Sequence, residues 1–294
     1  MSPARDFEGY GRNPPDPRWP GGAKVALNFV INHEEGGEES VPDGDPRTEN
    51  ALTEGATAPV KGRDLGAESM FQYGSRVGFW RLHRLFTERN LPCTVFAVAR
   101  SLERTPQAVA AIRDAGWDVC GHGWKWEMHI GMEEAVERQR IADATALITR
   151  VMGAPPLGWY TRYAPSENTR RLLAEAGYLY DSDAYDDELP YWADLDGTPR
   201  LVLPYNLAHN DIRFQRAALT AGEEFFQYIK GALELMQAEP GGRMLSVGLH
   251  NRIIGYPGRA AGLAKLLDWV KTQPQIWVCR REDIARHWIE KHHP

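Results

Sequence analysis

The chain has 294 residues, 43% of them hydrophobic and 25% charged, with a formal net charge of −6. That balance suits a globular protein with a sizeable core, and the negative net charge argues against a nucleic-acid partner, which requires a concentrated basic face. No apolar run approaches the roughly 18 residues that span a bilayer, and the N-terminus lacks a secretory apolar core, so the expectation is a cytoplasmic protein with neither nucleic acid nor membrane as partner.

Residues 1–22 are rich in Pro and Gly and read as an extended arm that wraps its own domain or a neighbouring subunit. A strand over Lys24–Ile31 runs into Asn32, His33, Glu34 and Glu35. The polar, aperiodic stretch 36–69 reads as a long loop, serving as a lid or a subunit contact. Val77, Trp80, Leu82, Leu85 and Phe86 give an apolar helix face. Cys93–Ala99 is a strand. Thr105-Pro106, a cap followed by proline, starts a helix that Gly116 closes. Trp117–Gly121 is a strand ending at Gly121-His122-Gly123, and a long helix spans Glu133–Met152. Leu157–Arg162 is a strand, Ser166 or Asn168 starts a helix ending at Gly177, and Tyr178–Asp183 is a strand. Leu201–Tyr205, Met244–His250 and Ile276–Arg280 are strands, and Glu223–Ala238, Arg259–Lys271 and Asp283–Lys291 are helices. The three cysteines, Cys93, Cys120 and Cys279, lie in apolar strand contexts and read as buried free thiols.

About eight strands separated by helices imply parallel pairing, because parallel neighbours need a crossover. The expected fold is a single α/β domain, a distorted (β/α) barrel of seven or eight strands over residues 1–294, with an open doubly wound sheet as the alternative. In a parallel barrel the carboxyl ends of the strands meet at one rim. Here they deliver Asn32, His33, Glu34 and Glu35, then His122 with Trp126, then Tyr160 and Arg162, then Asp181 and Asp183, then Tyr205 with Asp211 just beyond, and last His250 with Arg252. Imidazoles, carboxylates and a guanidinium at one mouth suit proton transfer and oxyanion stabilisation.

These strand ends carry a resemblance. ALNFVINHEEGGE, YGSRVGFWRL, TVFAVA, DVCGHGWKW, GWYTRYAPSENTRRLL, YDSDAYDDELPYW, LPYNLAHNDIRF, LSVGLH and RREDIARHW follow in order along nearly the whole chain. The chain resembles the polysaccharide deacetylase superfamily, the NodB-homology or carbohydrate esterase 4 fold, and within it the allantoinase and cyclic-imide hydrolase branch. The resemblance implies a metal held by one Asp and two His with a second Asp as base, and this chain departs from that set. The base falls on Asn32, the metal Asp on Glu34, the first His on His122 and the second on Trp126. The late His, the usual general acid, falls on His250, and the Arg that orients catalytic groups falls on Arg162.

The implied function is hydrolysis of a non-peptide C–N bond in a small cyclic amide, ureide or imide. His122 or Glu34–Glu35 would activate water, and His250 would protonate the leaving nitrogen. Asn32 and Arg162 would hold the carbonyls, with Trp126, Tyr160 and Asp183 also binding substrate. No cofactor is required on this reading. A retained zinc or other divalent metal, on Glu34 and His122 with His129 or Glu35 as a third ligand, is the alternative. Two other functions stand beside it: a metal-dependent N-deacetylase of polysaccharide or peptidoglycan, and a non-catalytic ligand-binding barrel. The arm and the long loop, with the resemblance, lead us to expect a homo-oligomer, a tetramer in relatives of this branch. Within the implied class the sequence does not separate allantoin from imides, because Arg162-Tyr163-Ala164-Pro165-Ser166 stands where allantoinases carry a glycine-rich turn.

Overall fold

The computed structural model describes residues 5–55 and 61–294; the first four residues of the expected arm and residues 56–60 of the expected loop lie outside the described residues. Its organising element is β1, Val25–His33, nine residues buried throughout. Continuous burial is what a parallel strand covered on both faces requires, and it explains the uninterrupted apolar run. Seven further strands follow in chain order: β2 Thr94–Ala97, β3 Asp118–Gly121, β4 Gly158–Trp159, β5 Tyr180–Asp181, β6 Tyr191–Leu195, β7 Thr198–Val202 and β8 Arg243–His250, and β9 is Ile276–Val278. All belong to one sheet of order β6-β7-β5-β4-β3-β2-β1-β8, with β9 beside the first half of β1. Every pairing is parallel except the β6–β7 hairpin. The chain leaving β7 crosses towards β8, where Asn210 bridges Gly248, so the sheet curls towards closure as the expected (β/α) barrel.

Alternation along the strands sorts their side chains. Val25, Leu27, Phe29 and Ile31 join the helix-facing core, with Val95, Ala97, Trp159, Val247 and Leu249. Ala26 and Val30 join the interior cluster, with Phe96, Cys120, Tyr160, Tyr180 and Tyr205. The three cysteines are buried and free. The interior also takes in Arg281, which donates to the hydroxyls of Ser246 and Ser182 and to the Leu203 carbonyl at 2.6–2.7 Å.

Three local features differ from expectation. The loop ends earlier than residue 69, because a helix runs over Leu65–Tyr73, capped by the Asp64 side chain on the Ala67 amide. It continues through a π-turn, Gly74–Gly78, into Phe79–Thr87. Gly78 is required there, since a Cβ would collide with the Asn251 carbonyl. Second, the Thr105 hydroxyl does not cap the helix Pro106–Asp114; it donates to the Ser101 carbonyl and bonds His33 Nε2 at 2.9 Å. Third, β6 was not expected. Its turn, Asp196-Gly197, has positive φ at both residues (49° and 80°), the geometry that tight hairpins favour. The arm takes one of its two expected places, on its own chain at the amino ends of the strands: Trp19 is buried against Trp277, His287 and Trp288 and donates to the Arg243 carbonyl at 2.9 Å. Among the described residues no helix is long and apolar enough to cross a membrane.

Candidate active site

At the carboxyl ends of the strands a cleft with about 240 Å³ of empty space is lined by Asn32, Glu34, His122, Trp126, Tyr160, Arg162, Tyr163, Tyr205, Leu207, Asn210, Ile212 and His250. Seven of the nine residues given a catalytic or substrate-binding role from the sequence meet here. The alternation of the strands explains the membership. Asn32 continues the interior face of β1, and Glu34 keeps the same parity one step beyond it; His122, Arg162 and His250 do likewise on β3, β4 and β8.

Parity also explains the two that do not line the cleft. Glu35 points to the helix side of β1, where its carboxylate accepts from Asn251 Nδ2 at 2.8 Å and pairs with Arg252 at 3.2 Å. Asp183 lies on the outer face of its strand and accepts from the backbone N–H and the hydroxyl of Thr161 at 2.7 and 2.9 Å. Burial, and then the neighbouring Asp181 charge, push its carboxyl up to about 7. His129 is likewise elsewhere. It is sealed against Glu137, 2.9 Å from Nδ1, and packs on Trp159.

Glu34 is the hub of the cleft. Its Oε1 lies 3.2 Å from His122 Nε2 and 3.5 Å from His250 Nε2. Its Oε2 lies 2.8 Å from Arg252, a close ion pair not aligned as a hydrogen bond. Burial alone would raise its pKa, but the His250 and Arg252 charges and the His122 bond hold it well below the usual carboxylate range. His122 Nδ1 sits 2.7 Å from the Tyr160 carbonyl. A carbonyl only accepts, so Nδ1 donates to it. The ring stacks on Tyr160 at 5.1 Å and 15°.

His250 is held from behind. Asp211 Oδ1 lies 2.6 Å from its Nδ1, while Asp211 Oδ2 accepts from the backbone N–H groups of His250 and Ile254. Burial opposes charge on this imidazole, but the Glu34 and Asp211 carboxylates outweigh it and push His250 up to about 9. It therefore stands protonated at neutral pH, with Nε2 turned towards the cleft. Arg162 completes the mouth. It stacks on the Trp126 ring at 3.5 Å and donates to Glu49 and to the Trp126 carbonyl, each at 2.8 Å. Glu49 comes from the long loop, whose residues Thr48, Glu49, Asn50 and Thr53 are buried, so the loop closes over the site of its own chain. Asp211 and Arg252 stand at the strand ends where the sequence puts them, without a role assigned there, and Tyr163 was not singled out. Asp211 follows the β7 run and Arg252 lies two residues past His250 on its parity.

A divalent metal is implied by the fold resemblance, and the residues present do not fit one. Both oxygens of Glu34 already face cationic partners. The position of the second histidine is Trp126, whose ring packs against the guanidinium groups of Arg162 and Arg252, at 3.5 and 4.9 Å. Among the described residues no group of three or more His, Cys, Asp or Glu side chains is arranged to hold a metal ion.

Comparison with known proteins agrees with this architecture. Residues 66–180 match the family described as polysaccharide deacetylase. A putative polysaccharide deacetylase of Schizosaccharomyces pombe is 34% identical over 317 residues, covering 99% of each chain. The crystal structure of a probable polysaccharide deacetylase from Pseudomonas aeruginosa PAO1 superposes with a TM-score of 0.94 at 47% identity, covering 98% of each chain. That of the Puue allantoinase superposes with the same TM-score at 45% identity, covering 99% of each.

Proposed function

The chain belongs to the polysaccharide deacetylase family of hydrolases, and from that footing we propose that it opens a small cyclic amide, ureide or imide by hydrolysis of a ring C–N bond. The observation that carries this reading is the Asp211–His250–Glu34–His122 line, in which a protonated imidazole and a proton-accepting pair face one small cleft. The likeness to an allantoinase over 99% of both chains supports the substrate class.

In this mechanism the flat ring lies among Trp126, Tyr160 and Tyr205, with its carbonyl carbon near the Glu34–His122 pair. Glu34 Oε1, with His122 Nε2 beside it, takes a proton from water as the water oxygen bonds to the carbonyl carbon. Arg162 and the Asn32 amide stabilise the oxyanion. The C–N bond then breaks and His250 Nε2 gives its proton to the leaving nitrogen. Carbon gains the hydroxyl, nitrogen gains hydrogen, and the proton held by Glu34 returns to His250 through solvent. Asp211 orients His250 and supports its charge, as the buried carboxylate does in hydrolase triads.

A second reading, N-deacetylation of an acetylated sugar, is favoured by the name of the Schizosaccharomyces pombe relative. It breaks the same kind of bond. One experiment separates the two. Chelator-treated protein is assayed with and without zinc for ring opening of allantoin, hydantoin, succinimide, maleimide and glutarimide, with acetate release from chitooligosaccharide measured beside it. Opening of one ring without zinc is the expected result. Acetate release with every ring intact would replace the first reading by the second.

A further inference from the structure

Tyr163 lines the cleft beside Arg162, yet no role so far uses it. Its backbone is left-handed, φ 56°, a conformation that disfavours bulky side chains. The Ala164 amide donates back to the Arg162 carbonyl at 2.6 Å, so Tyr163 is the apex of a tight three-residue turn. The surroundings hold that turn closed. The amides of His129 and Ile130 both donate to the Ala164 carbonyl, at 3.0 and 3.1 Å, and the Tyr185 hydroxyl donates to the Tyr163 carbonyl at 3.4 Å. A glycine would take this backbone without strain. An aromatic side chain carried at such a turn, and turned into a cleft, points to use by a ligand.

The polar end of the side chain supports that use. The Tyr163 hydroxyl makes no hydrogen bond to another described residue, whereas Tyr160, Tyr185 and Tyr205 all bond through theirs. Burial, and then the Glu34 charge, push the phenol up to about 12, so it remains an O–H donor across the working range. Arg162 and Asn32 already serve the carbonyl under attack. A further donor on the wall serves a second acceptor. We propose that Tyr163 is a substrate-recognition residue whose hydroxyl donates to a second ring carbonyl, one remote from the scissile bond, so that the site selects dicarbonyl rings (imides and ureides) over simple lactams. The proposal rests on the ring-opening reading above.

The test uses two variants and two ligands. Tyr163→Phe removes only the hydroxyl. Tyr163→Gly removes the side chain and relieves the turn. KM is measured for whichever ring the wild type opens. Inhibition constants are measured for succinimide and for 2-pyrrolidinone, which has one carbonyl less, and each protein's melting temperature is recorded. Tyr163→Phe is expected to raise KM about tenfold, the loss of one hydrogen bond. It should weaken succinimide to the same extent, leave 2-pyrrolidinone unchanged and keep the wild-type melting temperature. Tyr163→Gly is expected to bind both ligands more weakly without melting earlier. Equal effects of Tyr163→Phe on both ligands, or none on either, would overturn the assignment. A Tyr163→Gly protein that melts earlier yet keeps its KM would also overturn it, making the residue structural. Wild-type protein that opens no ring but releases acetate refutes the ring-opening reading instead. The variants are then compared on the acetylated substrate, where an unchanged KM refutes Tyr163 as well.

Discussion

Arg252 and Glu34 are both sealed from solvent, and Nη2 of the one lies 2.8 Å from Oε2 of the other. The guanidinium is held in place by Glu35 at 3.2 Å, by the Leu52 carbonyl at 3.2 Å and by the rings of Phe71 and Trp126 at 4.4 and 4.9 Å. A positive charge is thus built into the protein beside the carboxylate that a metal would otherwise need. Removing it leaves two buried carboxylates short of a partner. Arg252→Met is therefore expected to lose about 3–5 kcal/mol of folding stability in urea unfolding at pH 7. Glu34 becomes easier to protonate in that variant, so the deficit should shrink as pH falls towards 5. A deficit independent of pH would assign the loss to packing and remove the charge argument.

His250 carries the pH prediction. Its pKa is raised to about 9 by Glu34 and Asp211 against the opposing effect of burial, while an unfolded histidine titrates near 6.5. The folded form binds the proton more tightly, so this group's contribution to stability is fully present below about 6.5 and is lost as pH rises through about 9. The same proton is the one donated to the leaving nitrogen. kcat/KM should therefore fall on an alkaline limb near pH 9. Asp211→Asn withdraws one of the supporting charges, so the limb should move roughly 1–2 units towards acid and the rate at pH 8 should drop about twofold to tenfold. An alkaline limb that stays where it was would show that another group sets it.

The periodicity of the sequence reaches far into this site, and the points where it stops have physical causes. The apolar run of β1 and the polar cluster after it locate the barrel and its mouth, because a buried parallel strand has few other ways to end. Parity then separates Glu34 from Glu35, and Ser182 from Asp183, once one residue of each strand is known to face inward. That datum is tertiary. It depends on which face the helices cover. The displacement of His129 depends on packing too, since Glu137 on the helix Glu134–Met152 draws its imidazole into a separate buried network with Ser166 and Thr169. Asp211 and Arg252 follow their strands at the expected places, but only the curl that brings Asn210 beside Gly248 shows what they hold. The β6–β7 hairpin was legible in Asp196-Gly197 alone. The π-turn at Gly74–Gly78 has no local signature beyond its two glycines.

Asp183 offers a test of stability independent of catalysis. Burial and the Asp181 charge raise its carboxyl to about 7, above an unfolded value near 3.9. The folded form thus holds the proton longer. The associated stability is present below about 4 and is lost as pH rises through about 7. Asp183→Asn keeps an acceptor for the Thr161 amide and presents no charge to lose. It should be more stable than the wild type at pH 8 by on the order of 1–3 kcal/mol, with the difference vanishing near pH 4. Denaturant midpoints at the two pH values measure it. A variant less stable at pH 8 would mean that the Thr161 bonds need both carboxylate oxygens.

The long loop is tied to the cleft through Glu49, whose carboxylate lies 2.8 Å from Arg162 and is mostly buried. Burial opposes its charge, but Arg162 and the Ala51 amide hold its pKa below the usual value. The pair therefore persists at neutral pH and fails as pH falls below the ordinary carboxylate range. Arg162 is shared between the loop and the Trp126 face, so the loop both covers the site and aims the guanidinium. Glu49→Ala frees one end of that arrangement. Loss of a charged hydrogen bond of roughly 1.5–3 kcal/mol should raise KM by at least tenfold. Amides over 48–53 should exchange with deuterium faster, while those of β1 and β8 keep their protection. Faster exchange with an unchanged KM would make the loop a cover that plays no part in binding. A raised KM with exchange unchanged would instead assign Glu49 to aiming Arg162 and leave the closure of the loop to its other buried residues.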